Sequence, residues 1–179
     1  MGNGDQTEVG FSTQWSQIHN SSTGDDGSHY ALGVHMNGDY GPYNVMLQAM
    51  RYEYSMENPD GTTNDYIYMG AYDFPYRVAP KGYMLTAGVS KDIAVDWGSI
   101  DKITVYNDYG VLLKDNDDFH TSQQNVLGCA FTVGRVTTYV DLAFGQNHAW
   151  VGPGWTNSFA AGDGNAWHTR FNVNVGYYF

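Results

Sequence analysis

Apolar and small polar side chains alternate residue by residue along much of this chain, and the segment 170–179 shows the pattern best. One face of that segment carries Phe171, Val173, Val175, Tyr177 and Phe179, and the other carries Asn172, Asn174, Gly176 and Tyr178. Successive side chains of a β-strand point to opposite faces of a sheet, whereas a helix would scatter these residues around its axis. The period therefore predicts an all-β fold.

Eight segments share this alternation and are the predicted strands: 7–19, 28–37, 43–54, 82–91, 101–112, 124–133, 136–146 and 167–179. The connections between them alternate between short turns (37–42, 92–99 and near 134) and longer polar segments (20–27, 55–81, 114–123 and 147–165). Transmembrane β-barrels place short turns at one end and long loops at the other. We expect an antiparallel transmembrane barrel wall, either a small closed barrel or half of a porin-type barrel of about 16 strands.

The segment Asp65–Phe74 also alternates like a strand. Counting it as a further spanning strand would break the alternation of short and long connections. We therefore expect it to lie within the long connection 55–81 as an excursion, and a fold back into the lumen as a constriction is one arrangement left open.

Charged side chains avoid the middle of the predicted strands. All eight basic residues lie at strand ends or in connections, as expected where a bilayer penalises a central Lys or Arg by about 2–4 kcal/mol. The chain has 19 acidic residues and a net charge of -11, which argues against binding to nucleic acid. It contains no apolar run of about 18 residues, so the sequence predicts no transmembrane helix.

We expect residues 1–179 to form one outer-membrane domain. Residues 1–5 lack the basic and apolar regions of a secretion signal, so we expect the natural precursor to begin elsewhere. The single cysteine, Cys129, has no partner for a disulfide within the chain and falls on the apolar face.

Several segments resemble the phosphate-selective porin O and P family. They are ITVYNDYG (103–110), SQQNVLG (122–128), TTYVDLAFGQN (137–147), VGPGWTN (151–157) and RFNVNVGYYF (170–179), with GDYGPYNVMLQAMRYEYS (38–55) and MGAYDFPY (69–76) upstream. They follow one another in order along nearly the whole chain. The resemblance maps the chain to the C-terminal half of a longer family barrel.

The resemblance implies a channel in the outer membrane of Gram-negative bacteria, with outer-membrane lipid around it and a homotrimer as one assembly to test. It also implies that Phe179 belongs to the signal that the barrel-assembly machinery recognises. Phosphate selectivity does not carry over, because the family's pore is lined by basic residues and this chain has only eight, beside acidic loops.

The polar face supplies the candidates for lining a lumen: His35, Gln48, Tyr106, Asp108, Tyr139, Asp141, Asn172 and Asn174. In a water-filled lumen, Asp108 and Asp141 would favour cations, since rings of charge set selectivity. The alternative is that these side chains hydrogen-bond to one another across the wall.

Aromatic residues near the predicted strand ends suggest two girdles at the membrane interfaces. The candidates are Tyr43, Trp97, Tyr177 and Phe179 near the short turns, and Trp15 and Tyr109 towards the long loops. The alternative is ordinary packing within a sheet.

No sequence motif indicates catalysis or a cofactor. The histidines show no metal-ligand spacing, and there is no nucleophile elbow, so we expect no enzyme activity, no cofactor and no metal. The sequence favours a passive channel for small hydrophilic solutes or ions. The alternatives are a non-channel structural or adhesion barrel, and a soluble lipocalin-like barrel that binds an apolar ligand.

Overall fold

A computed structural model describes residues 6–71 and 74–179. Ten strands follow one another: β1 (Gln6–His19), β2 (Asp26–Tyr40), β3 (Tyr43–Ser55), β4 (Ile67–Ala71), β5 (Phe74–Val78), β6 (Lys81–Trp97), β7 (Ile100–Lys114), β8 (Ser122–Val133), β9 (Val136–Gln146) and β10 (Trp167–Tyr177). Within these described ranges no helix is long and apolar enough to cross a membrane.

Eight of the strands form one antiparallel sheet in the order β1-β2-β3-β6-β7-β8-β9-β10. These are the eight strands that the alternation predicts, and each neighbour in the sheet is also the next of the eight along the chain. Strands β1 and β10 form the two edges, and the described residues show no pairing between them. The antiparallel all-β prediction is therefore confirmed.

The register brings all the apolar strand faces to the same side of this sheet. Val9 on β1 lies opposite Met36, Met36 opposite Leu47, and Leu47 opposite Ala87 on β6. At the far edge Leu142 lies between Leu127 and Phe171 in the same way. A slip of one residue in any pairing would have reversed a strand's faces. We call this side the apolar face and the opposite side the polar face.

The connections separate by length to the two ends of the sheet. At the turn end, tight turns contain Gly41, Gly98 and Gly134, each with a positive φ between 60° and 65° that favours glycine. At the loop end lie residues 20–25, 56–80, 115–121 and 147–166. The predicted alternation of short and long connections is therefore confirmed.

The strand ends are staggered across the sheet. One row of register partners runs from Tyr40, the last residue of β2, to Val173, which lies four residues before the end of β10. Towards the loop end, β2 extends fourteen residues beyond this row, but β10 extends only six. The strand ends thus shift by about one residue from each strand to the next. This shift tilts the line of strand ends by about 35° from the perpendicular to the strands, so strands in a barrel with this stagger would be inclined by about 35° to its axis.

Strands β4 and β5 pair with each other in a hairpin within the connection 56–80, separate from the large sheet. Val78, at the end of β5, also forms an isolated parallel bridge with Phe159. The prediction that Asp65–Phe74 stays outside the eight main strands is confirmed for the described residues, and residues 72–73 lie outside the described part of the chain. The structure adds that this segment contributes to two short strands.

The buried side chains lie where this hairpin and the connection 147–166 meet the polar face. Leu112 and Ala143 come from the sheet, Ala79 from the hairpin connection, and Val151 and Ala160 from the second connection. The small core therefore lies at the loop end and on the polar side, away from the apolar face.

Candidate functional site

All eight sequence-predicted lining residues lie on the polar face. They occupy β2, β3, β7, β9 and β10 and fall into three groups: His35 with Gln48; Tyr106, Asp108, Asp141 and Asn172; and Tyr139 with Asn174. The polar face is thus one surface that extends across the whole sheet, as expected for strands that share one register.

Asp141 is held by its neighbours. One register row joins Tyr106, Gly128, Asp141 and Asn172 across four strands. The Tyr106 hydroxyl donates a short hydrogen bond to Oδ1 of Asp141, and Asn172 Nδ2 donates to Oδ2 at 3.4 Å. A side chain added at Gly128 would collide with both Tyr106 and Asp141, so glycine leaves room for this contact. For these three residues, hydrogen bonding across the wall is what the structure shows.

The other candidates on the polar face are more open to solvent. His35 and Gln48 are register partners, and both side chains are exposed, as are those of Asp108 and Asn174. Tyr139 lies opposite Asn174 and is half-buried. The part of the face nearer the turn end is therefore polar and accessible.

Two connections fold over the polar face at the loop end, and we call them the covering loops: residues 56–80 and residues 147–166. The backbone N–H of Arg77 donates to the Thr156 carbonyl at 2.8 Å, and that of Ala79 donates to the Phe159 carbonyl at 2.9 Å. The Tyr52 hydroxyl, from the polar face of β3, donates to the Ala79 carbonyl at 2.9 Å. The loops are thus bonded to each other and to the sheet.

Lys114, at the loop end of β7, anchors the second covering loop. Its Nζ donates to the carbonyls of His120, Ser158 and Ala160 at 2.6, 3.1 and 2.6 Å. Ser122 on β8 donates to the same Ser158 carbonyl at 2.8 Å. A cation that binds three carbonyls fixes this loop on the polar face at the level of β7 and β8.

Asn147 organises the start of that loop. It has a positive φ of 49°, which asparagine tolerates better than most residues, and its side chain is fully buried. Its amide donates to the Thr121 carbonyl at 2.8 Å, and its oxygen accepts from the backbone N–H groups of Asp163 and Asn165 at 3.0 and 3.1 Å. One side chain therefore holds both ends of the loop together.

The second covering loop reaches well down the sheet. Arg170, inside β10, donates from Nη1 to the Trp150 carbonyl at 3.0 Å. A side chain added at Gly145 of β9 would collide with Val151, which lies directly on the backbone there. This loop consequently narrows the space on the polar side.

Aromatic rings join the two covering loops. Tyr76 contacts Trp150, Trp155 and Phe159 edge to face, with ring centroids 6.3, 5.8 and 5.9 Å apart. Trp150 and Trp155 are themselves 4.2 Å apart. Such edge-to-face pairs add stability beyond their buried area.

A cleft of about 520 Å³ lies between the covering loops and the polar face. His29 and Tyr54 stack on one side of it with ring centroids 4.0 Å apart, and His148 meets the Phe159 ring edge to face at 4.8 Å on the other. Burial lowers the pKa of His148 to about 4, although the charge of nearby Asp163 opposes this shift. His148 is therefore neutral at pH 7.

The predicted interface aromatics lie mainly at the two ends of the sheet. Tyr43, Trp97, Tyr177 and Phe179 are exposed beside the turn end, and Trp15 is exposed near the loop end. Tyr109 lies further inside, opposite Ala87 in the middle of β7, and its hydroxyl donates to Gln123 at 2.5 Å.

Sequence reasoning missed the residues that hold the covering loops, namely Lys114, Arg77, Tyr52, Ser122 and Asn147. The asparagines and glycines of 147–165 signalled an irregular loop, but no pattern indicated which surface it would contact. Among the described residues, no three side chains of the His, Cys, Asp or Glu types come together as a metal site.

Comparison with known proteins found no match: no protein-family model, no curated protein and no solved structure is similar to this chain. The resemblance to the phosphate-selective porin family therefore stays a prediction, and the site's geometry carries the functional proposal.

Proposed function

We propose that this chain forms part of the wall of an outer-membrane porin through which small hydrophilic solutes or ions diffuse passively. One observation carries the proposal: eight strands place every apolar face on one side of a single sheet, while the covering loops fold over the other side. A wall between hydrocarbon and water needs this separation of faces.

The exposure of the apolar face supports a lipid environment. Val9 and Phe11 on β1 are 73% and 67% exposed, and Phe171 and Val175 on β10 are 63% and 64% exposed. Soluble monomers rarely expose apolar patches larger than a few hundred Å². Here the exposed apolar side chains extend across all eight strands.

Charges on the apolar face lie at its ends. Near the loop end, Lys81 Nζ donates to Glu53 at 2.6 Å, and Arg51 pairs with Asp115 at 2.5 Å. Towards the turn end, the Lys91 ammonium lies 5.1 Å from the centre of the Tyr43 ring. The described stretch between these groups carries no formal charge, as expected for a band in contact with lipid tails. Its polar side chains Asn107 and Asn125 hydrogen-bond to each other at 3.0 and 3.1 Å.

On the opposite side, the polar face would line the lumen and the covering loops would narrow it. Asp108 and Asp141 would favour cations in the part of the lumen nearer the turn end, and the mechanism requires no chemical step. An unpaired backbone N–H or C=O group is costly in the hydrocarbon core of a bilayer, because no water is there to bond with it. The edge strands β1 and β10 would therefore each pair with a further strand to close the wall. The proposed partners are outer-membrane lipid, the barrel-assembly machinery acting on Phe179, and two further copies in a homotrimer.

A non-channel barrel is the second candidate, and the covering loops favour it. Loops bonded to each other, to Lys114 and to Arg170 could block the lumen instead of narrowing it. A soluble barrel for an apolar ligand receives less support, because it would keep its apolar face on the side that the loops cover.

Spin labels on neighbouring residues of β9 test which face meets lipid. Labels at Val140 and Leu142 should be accessible to oxygen and protected from a water-soluble nickel reagent in reconstituted vesicles. Labels at Tyr139 and Asp141 serve as matched controls and should show the reverse. Water accessibility at all four positions would disprove a membrane wall.

Conductance across a planar bilayer then separates the channel from the blocked barrel. A porin should give stable, ohmic steps that scale with salt concentration. If the spin labels show the expected accessibility but no steady current flows, the channel proposal is wrong and the non-channel barrel takes its place.

A further inference from the structure

The cleft beneath the covering loops has the composition of a binding site. The stacked rings of His29 and Tyr54 present an aromatic surface, and thioethers from Met50, Met69 and Met84 lie around the same space. Methionine sulfur makes favourable contacts with aromatic rings and adapts to ligands of different outline. A volume of about 520 Å³ lies within the usual range of small-molecule sites.

The described side chains that line the cleft include no Asp, Glu, Lys or Arg, although the whole chain has a net charge of -11. Lys114, which anchors the second covering loop, directs its amine at three loop carbonyls. His148 is neutral at pH 7, with Asp163 and Phe159 packed near it. An ion entering this space would lose hydration without finding an opposite charge.

We infer that this cleft binds an uncharged aromatic solute, and the inference rests on the proposed channel function for the position of the site within the lumen. The ring would lie against His29 and Tyr54. Its polar substituent would reach the amides of Gln14 and Gln124, which line the same space. A porin with such a site would retain single-ring alcohols or phenols near its constriction.

Direct binding to the full chain in detergent micelles tests the site. The probe is 4-fluorobenzyl alcohol, followed by ¹⁹F NMR, with protein-free micelles as the reference for partitioning. We expect saturable binding that Tyr54→Leu weakens about three- to tenfold, since one aromatic contact contributes about 0.5–1.5 kcal/mol. Tyr83→Leu is the matched control, because Tyr83 lies on the apolar face of β6, and its binding should stay within about twofold of wild type.

Met69→Ala provides a second variant that leaves the eight-stranded sheet untouched, because Met69 lies in the separate hairpin. It should also weaken binding. The inference is overturned if binding does not saturate, if both cleft variants bind as tightly as wild type, or if 4-fluorobenzoate or 4-deoxy-4-fluoroglucose binds as tightly as the alcohol.

The two proposals can fail separately. Membrane insertion and conductance without saturable binding would remove the aromatic site and leave the channel. Saturable binding by a chain whose apolar face proves accessible to water would remove the channel and keep a ligand-binding cleft.

Discussion

The guanidinium of Arg51 on β3 donates two hydrogen bonds to the carboxylate of Asp115, at 2.5 and 2.6 Å, across the intervening strand β6. The same guanidinium lies 4.7 Å from the centre of the Tyr83 ring on β6. Arg51 and Asp115 are 20% and 37% exposed, so both are partly shielded from water. This pair fastens the loop after β7 to the sheet where the apolar face ends.

Replacing Arg51 by methionine should lower the free energy of unfolding by about 1–2 kcal/mol, because Asp115 loses two charged donors. Equilibrium urea unfolding in detergent measures this. Lys102→Met is the control, since its pair with Asp92 at 2.8 Å is more than half exposed and should cost less than about 0.5 kcal/mol. Equal losses would show that the Arg51–Asp115 pair has no special role.

An arginine at Leu47 tests the environment of the apolar face by stability. Leu47→Arg should cost about 2–4 kcal/mol of folding free energy in lipid, while Gln48→Arg on the next residue should be nearly neutral. Both side chains are exposed in this chain. In water neither substitution should matter, so equal effects in vesicles would contradict contact with hydrocarbon.

Gly82 on β6 should not tolerate a side chain. An added Cβ would lie 2.5 Å from the Leu113 carbonyl oxygen of the neighbouring strand, a backbone atom that cannot move aside alone. Gly82→Ala should therefore destabilise the sheet by about 1–3 kcal/mol. At Gly110 the nearest atom would be the Thr86 methyl at 3.7 Å, an ordinary contact, and Gly110→Ala should change stability by less than about 0.5 kcal/mol. Thermal unfolding in detergent compares the two variants.

The second covering loop should loosen in acid. The pKa of His148 is about 4 in the folded chain and 6.5 in a free side chain, so the unfolded loop takes up the proton first as pH falls. The contribution of neutral His148 to the stability of the folded loop is complete above pH 6.5, falls as the pH drops towards 4, and changes no further below that value. Hydrogen exchange of residues 147–166 at pH 7.5 and 4.5, corrected for intrinsic rates, should show this loss.

His148→Phe keeps a ring beside Phe159 without a titrating group. In this variant the loss of protection between the two pH values should shrink. An undiminished loss would rule out His148 as the cause.

Neutralising the two carboxylates of the polar face should reduce cation selectivity. Asp108→Asn and Asp141→Asn should each move the reversal potential in a salt gradient towards zero, with the larger effect at exposed Asp108. The Asp141 charge is partly shielded by its hydrogen bonds from Tyr106 and Asn172. Asp117→Asn in the loop-end connection is the control and should leave the potential nearly unchanged.

The main sheet could be predicted from the sequence because alternation is a local property. Val140 and Asp141 are adjacent in the sequence, so their side chains point to opposite faces whichever strand lies beside them. The short turn at Gly134 then makes β8 and β9 neighbours in the sheet. The segment at 136–146 was predicted with the bounds that β9 has in the structure. The alternation and the strand pairing agree along most of the sheet, and Asn107 of β7 is an exception that lies opposite Val89 and Leu127 on the apolar face.

The covering loops could not be predicted in this way. Lys114 donates to the carbonyls of Ser158 and Ala160, which lie more than forty residues further along the chain. Every residue has a backbone carbonyl, so the sequence does not indicate which ones a lysine will bind. Asn147 likewise acts through backbone groups of residues that only the folded loop brings near. The cleft between these loops and Tyr54 consequently emerged only from the structure.

The stagger of the strand ends determines the diameter of any barrel that this sheet would help to form, for a given number of strands. Eight strands inclined by about 35° would enclose a cylinder about 15 Å across between opposite backbones, whereas sixteen would enclose one about 30 Å across. Side chains alone fill the narrower cylinder, but the wider one has room for a two-stranded hairpin and a second folded loop beside a passage for solute. The inclination is the same for both cylinders, so only the two covering loops on the polar side would favour the wider one.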